Sequence, residues 1–130
     1  MFHTNIIQLT LQNNDFKKLI NYSDNYQLIL MSIPPKQSIP LEIHSKEDQL
    51  IFIVQGSATS FIGKNKEESI LLNQQDFISI PKNTWHTIYN HTDNVLKLYT
   101  IYTPPDSHND QYKNKYLKYK LKYINTKKNL

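Results

Sequence analysis

Four side chains stand out for what they could do together. Glu42, His44 and Gln49 supply a carboxylate, an imidazole and a carboxamide within eight residues, and His86 adds a second imidazole just after a Pro-led turn. Imidazole nitrogens and carboxylate oxygens are the donors that hold divalent transition metals, and an amide oxygen is a weaker, neutral one. Side chains two apart on a strand share a face, so Glu42 and His44 point the same way. If the polar turn Ser45–Asp48 is a hairpin, Gln49 returns to that face. His86 is too distant in sequence to be brought there locally, and only closure of the sheet could make it the fourth member. Taken singly, each has an ordinary role: Glu42 as a solvent-facing acid, Gln49 as a capping amide on a barrel rim, the two histidines as hydrogen-bonded interior groups.

The elements that must position these groups are short strands separated by turn residues. Phe16–Tyr22 and Tyr26–Ile33 flank Ser23-Asp24-Asn25 and pair as a hairpin. Pro34-Pro35 ends the second of these, because proline supplies no ladder donor. Leu41–His44, Gln49–Gln55, Ser57–Ile62, Glu68–Leu72, Asp76–Ile80, Trp85–Asn90 and Val95–Thr103 complete a set of about nine strands. Gly56, Gly63-Lys64-Asn65-Lys66 and His91-Thr92-Asp93-Asn94 mark turns. Short strands with frequent turns predict an all-β sandwich or barrel. Residues 50–54 are apolar on both faces, which predicts a strand lying between two layers. Residues 1–15 form an N-terminal arm in which the apolar run Ile6–Leu11 is expected to be a peripheral strand. After Pro105 the period changes: Tyr112, Tyr116, Tyr119 and Tyr123 recur at helical spacing among lysines, which predicts an amphipathic helix within 109–130.

Composition narrows the function classes. At 130 residues the chain is one domain, large enough for a core without staples, and with no cysteine it has neither a disulfide framework nor a thiolate site. No apolar run approaches the roughly 20 residues of a membrane helix, and no secretory leader is legible, so a cytoplasmic or intracellular protein is expected. The net charge of +4 is a property of the tail: residues 109–130 hold seven Lys and one Asp, leaving the first 108 at net −2. All fifteen basic residues are Lys, so the guanidinium fork that reads bases and clamps phosphates is absent. Nucleic-acid binding is therefore an expectation for the tail alone, which could equally dock on the body, meet a membrane surface or mediate assembly. The string KYLKYKLKYI is similar to C-terminal segments in proteins of large DNA viruses.

The spacing Glu42-x-His44-x4-Gln49-x6-Gly56 followed by Gln75-x5-Pro81-x-Asn83-x2-His86-x3-Asn90 resembles the two motifs of the cupins. The resemblance covers roughly Tyr26 to Pro105 and is strongest to small single-domain cupins with ExH…DQ in the first motif and a strand ending LYTIYxPP, here Leu98 to Pro105. It implies a double-stranded β-helix (cupin, or jelly-roll) barrel over 16–108 with a C-terminal α-helix. It also implies that Glu42, His44, Gln49 and His86 hold a divalent transition metal (Fe, Mn, Ni or Zn). Glu and Gln stand where many cupins have His and Glu, which keeps the formal ligand charge and moves the carboxylate to another corner. Gln75 and Asn83 replace glycines of the second motif, and Gln75 raises the prospect of a different turn.

By alternation from the ligands, the pocket walls are expected to be Ile51, Ile53 and Ile88, with Asn90 as a polar member and Tyr102 as a further one. The function implied is a metal-dependent enzyme of isomerase, oxygenase or lyase type acting on a small polar molecule such as a sugar or hydroxy-acid derivative. The alternatives are a barrel that holds a metal or small ligand without turnover, and a passive barrel whose basic tail binds nucleic acid or acidic partners. No additional general acid or base is assignable. Small cupins commonly pair through an edge strand, so a homodimer is expected by resemblance.

Overall fold

The computed structural model describes residues 1–105, and the tail helix expected within 109–130 lies outside them. Among the described residues the order is α1 (Ile6–Gln12), β1 (Lys18–Tyr22), β2 (Gln27–Ile33), β3 (Asp48–Gln55), β4 (Ala58–Ile62), β5 (Glu68–Leu72), β6 (Phe77–Ile80), β7 (His86–Tyr89) and β8 (Leu96–Thr103). Two antiparallel sheets result, one ordered β1-β2-β8-β3-β6 and the other β5-β4-β7. The all-β architecture expected from the strand and turn spacing is the one found, in the double-stranded β-helix form that the cupin resemblance implies.

Registers across the large sheet place its inward-facing residues in rows. Gln27, Tyr102, Gln49 and Ile80 form one row, Ile29, Thr100, Ile51 and Ile78 the next, and Met31, Leu98 and Ile53 the one after. The lower rows, with Ile33, Leu96, Ala58, Leu72 and Ile88, make the buried core. The upper row is mostly polar, so a continuous apolar floor ends in a polar layer. Fully burying an aliphatic side chain contributes about 1.5–3 kcal/mol, which is how this floor stabilises a layer whose polar groups must be desolvated.

Two expectations need correction. Ile6–Leu11 is helical: Asn5 caps it by accepting from the Gln8 amide at 3.0 Å, and the shielded positions Ile6, Leu9, Thr10 and Asn13 follow helical spacing rather than alternation. The helix lies on β3 and β8, where Lys97 reaches from β8 to the Leu11 carbonyl at 2.6 Å near its C-terminus. The second correction concerns Leu41–His44, which is no regular strand and does not fold back on β3. Residues 36–44 run beside β7, with bridges Ser38↔Tyr89 and Glu42↔His86. Pro40 lacks the amide hydrogen that a continuous ladder would need.

The glycine-like turns survive without glycine. Gln75 and Asn83 both adopt left-handed backbone, at φ 74° and 64°. Gln75 donates its amide to the Ile53 carbonyl at 2.8 Å, and Asn83 donates to the His44 carbonyl at 2.7 Å. Asn accepts this conformation readily, while Gln75 holds it at a cost of roughly 1–3 kcal/mol.

Candidate metal centre

Backbone pairing creates the site. Glu42 and His86 exchange both amide–carbonyl bonds at 3.0 Å, so the two residues sit directly opposite each other. Gln49 arrives from the facing sheet on β3, and His44 follows Glu42 by two residues, anchored through its carbonyl. Glu42 Oε1 is 3.3 Å from His44 Nε2 and 3.9 Å from His86 Nε2. One donor atom from each of Glu42, His44 and His86 lies within 4.8 Å of the others. Gln49 Oε1 is 2.7 Å from His86 Nε2. The four residues named by the motif spacing therefore meet, though through β7 and opposite sheets rather than through a local hairpin.

The hydrogen bonds around His86 have an unusual balance. Its Nδ1 lies 2.8 Å from the Thr84 carbonyl, which can only accept, so Nδ1 carries the hydrogen. Thr100 Oγ1 donates to the Leu50 carbonyl at 3.0 Å and therefore accepts from Gln49 Nε2 at 3.1 Å, which turns Gln49 Oε1 towards the ring. In the neutral ring, two lone pairs then face each other across 2.7 Å. A proton on Nε2 would resolve this, but burial disfavours the charged ring and holds His86 below its usual value of 6.5, despite the opposing pull of the Thr84 carbonyl and Glu42. A divalent cation resolves it too: donors about 2.1 Å from one ion stand about 3 Å apart in adjacent coordination positions. The donor set fits a metal on that ground.

Glu42 is tuned the other way. Burial pushes its carboxyl up, but the His44 hydrogen bond together with the fields of His44, His86 and Lys17 outweighs burial and leaves it below 4.5. Both shifts have the same consequence for stability. Between the folded-state pKa of His86 and 6.5, the unfolded chain binds a proton that the folded one refuses, so stability rises with pH through that window and levels above it. Glu42 adds a second rise below 4.5, lost as pH falls through its folded-state value. Urea unfolding of chelator-treated protein across this range should show the upper rise, and His86→Asn should flatten it. Parallel profiles for the two proteins would refute the assignment.

The expected pocket walls divide. Tyr102 lies beside Gln49 in the polar row and sets its ring edge-on to His44, with centroids 5.1 Å apart. Ile51 and Ile88 are the next inward-facing residues below Gln49 and His86, and both are buried. Ile53 and Asn90 stand four residues along their strands from the ligands, about 13 Å away at 3.3 Å per residue. Ile53 belongs to the apolar core, and the Asn90 side chain is committed to backbone groups. The motif spacing passed over Thr84 and Thr100, which orient the ligands, and Glu47, which is buried with Oε2 4.0 Å from His44 Nδ1. None of the three follows a periodic or motif pattern that would have marked it.

A family model described as "Cupin domain" matches residues 29–102. This chain is a member of the cupin family. An uncharacterized protein of Acanthamoeba polyphaga mimivirus is 39% identical over 95% of this chain and 89% of its own length. A crystal structure from Bacillus halodurans superposes with a TM-score of 0.79 at 34% identity, covering 81% of this cupin and 82% of that chain. The fold is also shared by a sugar phosphate isomerase of the cupin superfamily from Silicibacter pomeroyi, with TM-score 0.55 and 16% identity over 61% of this cupin and 50% of that chain. A viral relative accords with the viral likeness of the tail string. No helix among the described residues is long and apolar enough to cross a membrane.

Proposed function

We propose that this cupin binds one divalent transition metal through Glu42, His44, Gln49 and His86 and uses it on a small polar molecule such as a sugar or hydroxy-acid derivative. The observation that carries the reading is the meeting of one donor atom each from Glu42, His44 and His86 within 4.8 Å, with Gln49 Oε1 2.7 Å from His86 Nε2. Two imidazoles with one carboxylate suit Fe, Mn, Ni or Zn. The metal would supply a Lewis acid or an oxygen-activating centre. The chain's own contribution is positional: Thr84 and Thr100 aim two of the donors, the Tyr102 ring backs His44, and Ile51 and Ile88 close the floor against water. A sugar phosphate isomerase among the fold neighbours supports a sugar-like substrate and the isomerase class, with oxygenase and lyase chemistry as the other two.

A second reading has its own observation. Among the described residues at the site, Glu42, His44 and His86 form the group that could hold an ion, while Glu47 and Tyr102 are buried. This favours a cupin that holds a metal or a small ligand without turnover. Pairing of two copies through a sheet edge, an intracellular setting and a body spanning 16–108 belong to both readings. The basic tail as a binder of nucleic acid or acidic partners is the remaining alternative.

Elemental analysis of protein purified without a histidine tag should find close to one equivalent of Fe, Mn, Ni or Zn per chain. Protein that neither carries nor takes up any of the four would refute both metal readings. Turnover of a member of a sugar and keto-acid panel by the loaded protein would decide for the enzyme, and saturable binding without turnover for the second reading.

A further inference from the structure

The segment joining the ligand pair Glu42–His44 to β3, with the first residue of that strand, supplies four polar residues, Ser45, Lys46, Glu47 and Asp48. Three of them are exposed, whereas Glu47 is buried, with 3% of its surface accessible. A carboxylate removed from water is costly unless charged or hydrogen-bonding groups meet it. A single acid turned inward from a turn whose other polar side chains face solvent is therefore placed for a reason. Beside it is His44: Glu47 Oε2 stands 4.0 Å from Nδ1, while Nε2 of the same ring is 3.3 Å from Glu42 Oε1. The two nitrogens face two different carboxylates, one within the ligand group and one behind it.

His86 is built on the same plan with a different part. Its Nε2 faces the ligand group and its Nδ1 meets the Thr84 carbonyl from behind. We propose that Glu47 is the positioning residue of His44: its carboxylate, 4.0 Å from Nδ1 and beyond direct hydrogen-bond reach, favours the hydrogen on that nitrogen by its charge, so that Nε2 is the nitrogen given to a metal. The inference rests on the metal reading above and adds an asymmetry to it. One imidazole is backed by a neutral carbonyl and the other by a charge, and a carboxylate behind an imidazole makes it the more basic ligand. The added basicity at His44 compensates for the weak neutral oxygen that Gln49 brings to the same centre.

The test is titration of chelator-treated, full-length protein with Co²⁺, read by its visible absorption, for the wild type, Glu47→Leu and Glu47→Gln. Glu47→Leu should bind Co²⁺ about 10- to 100-fold more weakly, the loss expected for an outer partner of a ligating histidine, with an altered spectrum. Glu47→Gln keeps the shape and a polar oxygen without the charge, so it should fold like the wild type and bind Co²⁺ several-fold more weakly than the wild type, but more tightly than Glu47→Leu. Thermal melts of the metal-free proteins establish which variants fold. Unchanged affinity and spectrum in folded Glu47→Leu would overturn the assignment while leaving the metal centre standing. If Glu47→Leu does not fold, wild-type affinity in Glu47→Gln overturns it. A wild type that takes up no Co²⁺ overturns the centre and this inference together.

Discussion

Asn90→Ala should destabilise the fold by about 4 kcal/mol, a large share of the roughly 5–15 kcal/mol by which a domain of this size is stable. The side chain is fully buried, and its amide nitrogen lies 3.0, 3.2 and 2.8 Å from the carbonyls of Ile33, Pro34 and Asn94. Its oxygen accepts from the amide and hydroxyl of Thr92, at 3.1 and 2.8 Å. One carboxamide thus joins the end of β2, the Pro34-Pro35 turn and the loop between β7 and β8. Alanine leaves several of these groups without partners where water enters poorly, and each such group costs about 1–3 kcal/mol. Asn90→Asp should be at least as damaging, because a carboxylate would face the same carbonyls with no hydrogen to give. Urea unfolding midpoints measure the loss, and a change below about 1 kcal/mol would contradict this account. Metal affinity of the folded fraction should be unaltered, since Asn90 stands about 13 Å along the strand from His86. A parallel loss of affinity would return Asn90 to the pocket.

That residue also shows how far a sequence can be read. Alternation placed Asn90 on the same face as His86, which is correct for the strand, but the face passes from the site into the core within two residues and alternation carries no depth. Gln49 and His86 were legible because the cupin spacing encodes a long-range meeting that no local rule contains. Leu41–His44 shows the converse: the polar turn after it suggested a return hairpin with β3, and the true partner, β7, is chosen by backbone bonds from Ile39 and Glu42 across 44 or more positions. In Ile6–Leu11 the short apolar run read as a strand, and the Asn5 cap and a docking face at 6, 9, 10 and 13 decided for a helix. Asn83 and Gln75 kept the backbone conformation of the glycines they replace, so the motif's geometry outlasted its letters. Glu47 lay hidden in a run of turn-forming polar residues, where burial is set wholly by tertiary packing.

Gln49→Leu should change metal affinity and metal-free stability in opposite directions. In the metal-free protein the Gln49 oxygen faces the His86 Nε2 lone pair at 2.7 Å, so removing the amide removes a repulsion. Thr100 keeps its bond to the Leu50 carbonyl and His86 keeps its bond to the Thr84 carbonyl, so neither is left unpaired. The apoprotein should therefore be as stable as the wild type or more so, by up to about 1 kcal/mol, with leucine packing against the apolar row beneath. With metal the balance reverses: the loss of an oxygen donor should weaken binding at least tenfold, which is about 1.4 kcal/mol. His86→Ala provides the scale, because it deletes a nitrogen ligand and opens a cavity in the core. It should lower affinity by more than the roughly 10- to 100-fold that losing an outer partner costs, and it should destabilise the apoprotein too. Chemical denaturation and Zn²⁺ titration of the same three preparations make the comparison. If 2.7 Å is instead an ordinary hydrogen bond from a protonated Nε2, Gln49→Leu will destabilise the apoprotein by about 1–3 kcal/mol and the repulsion argument falls. A stabilised apoprotein with weakened Zn²⁺ binding is the signature of two donors held apart for an ion to join.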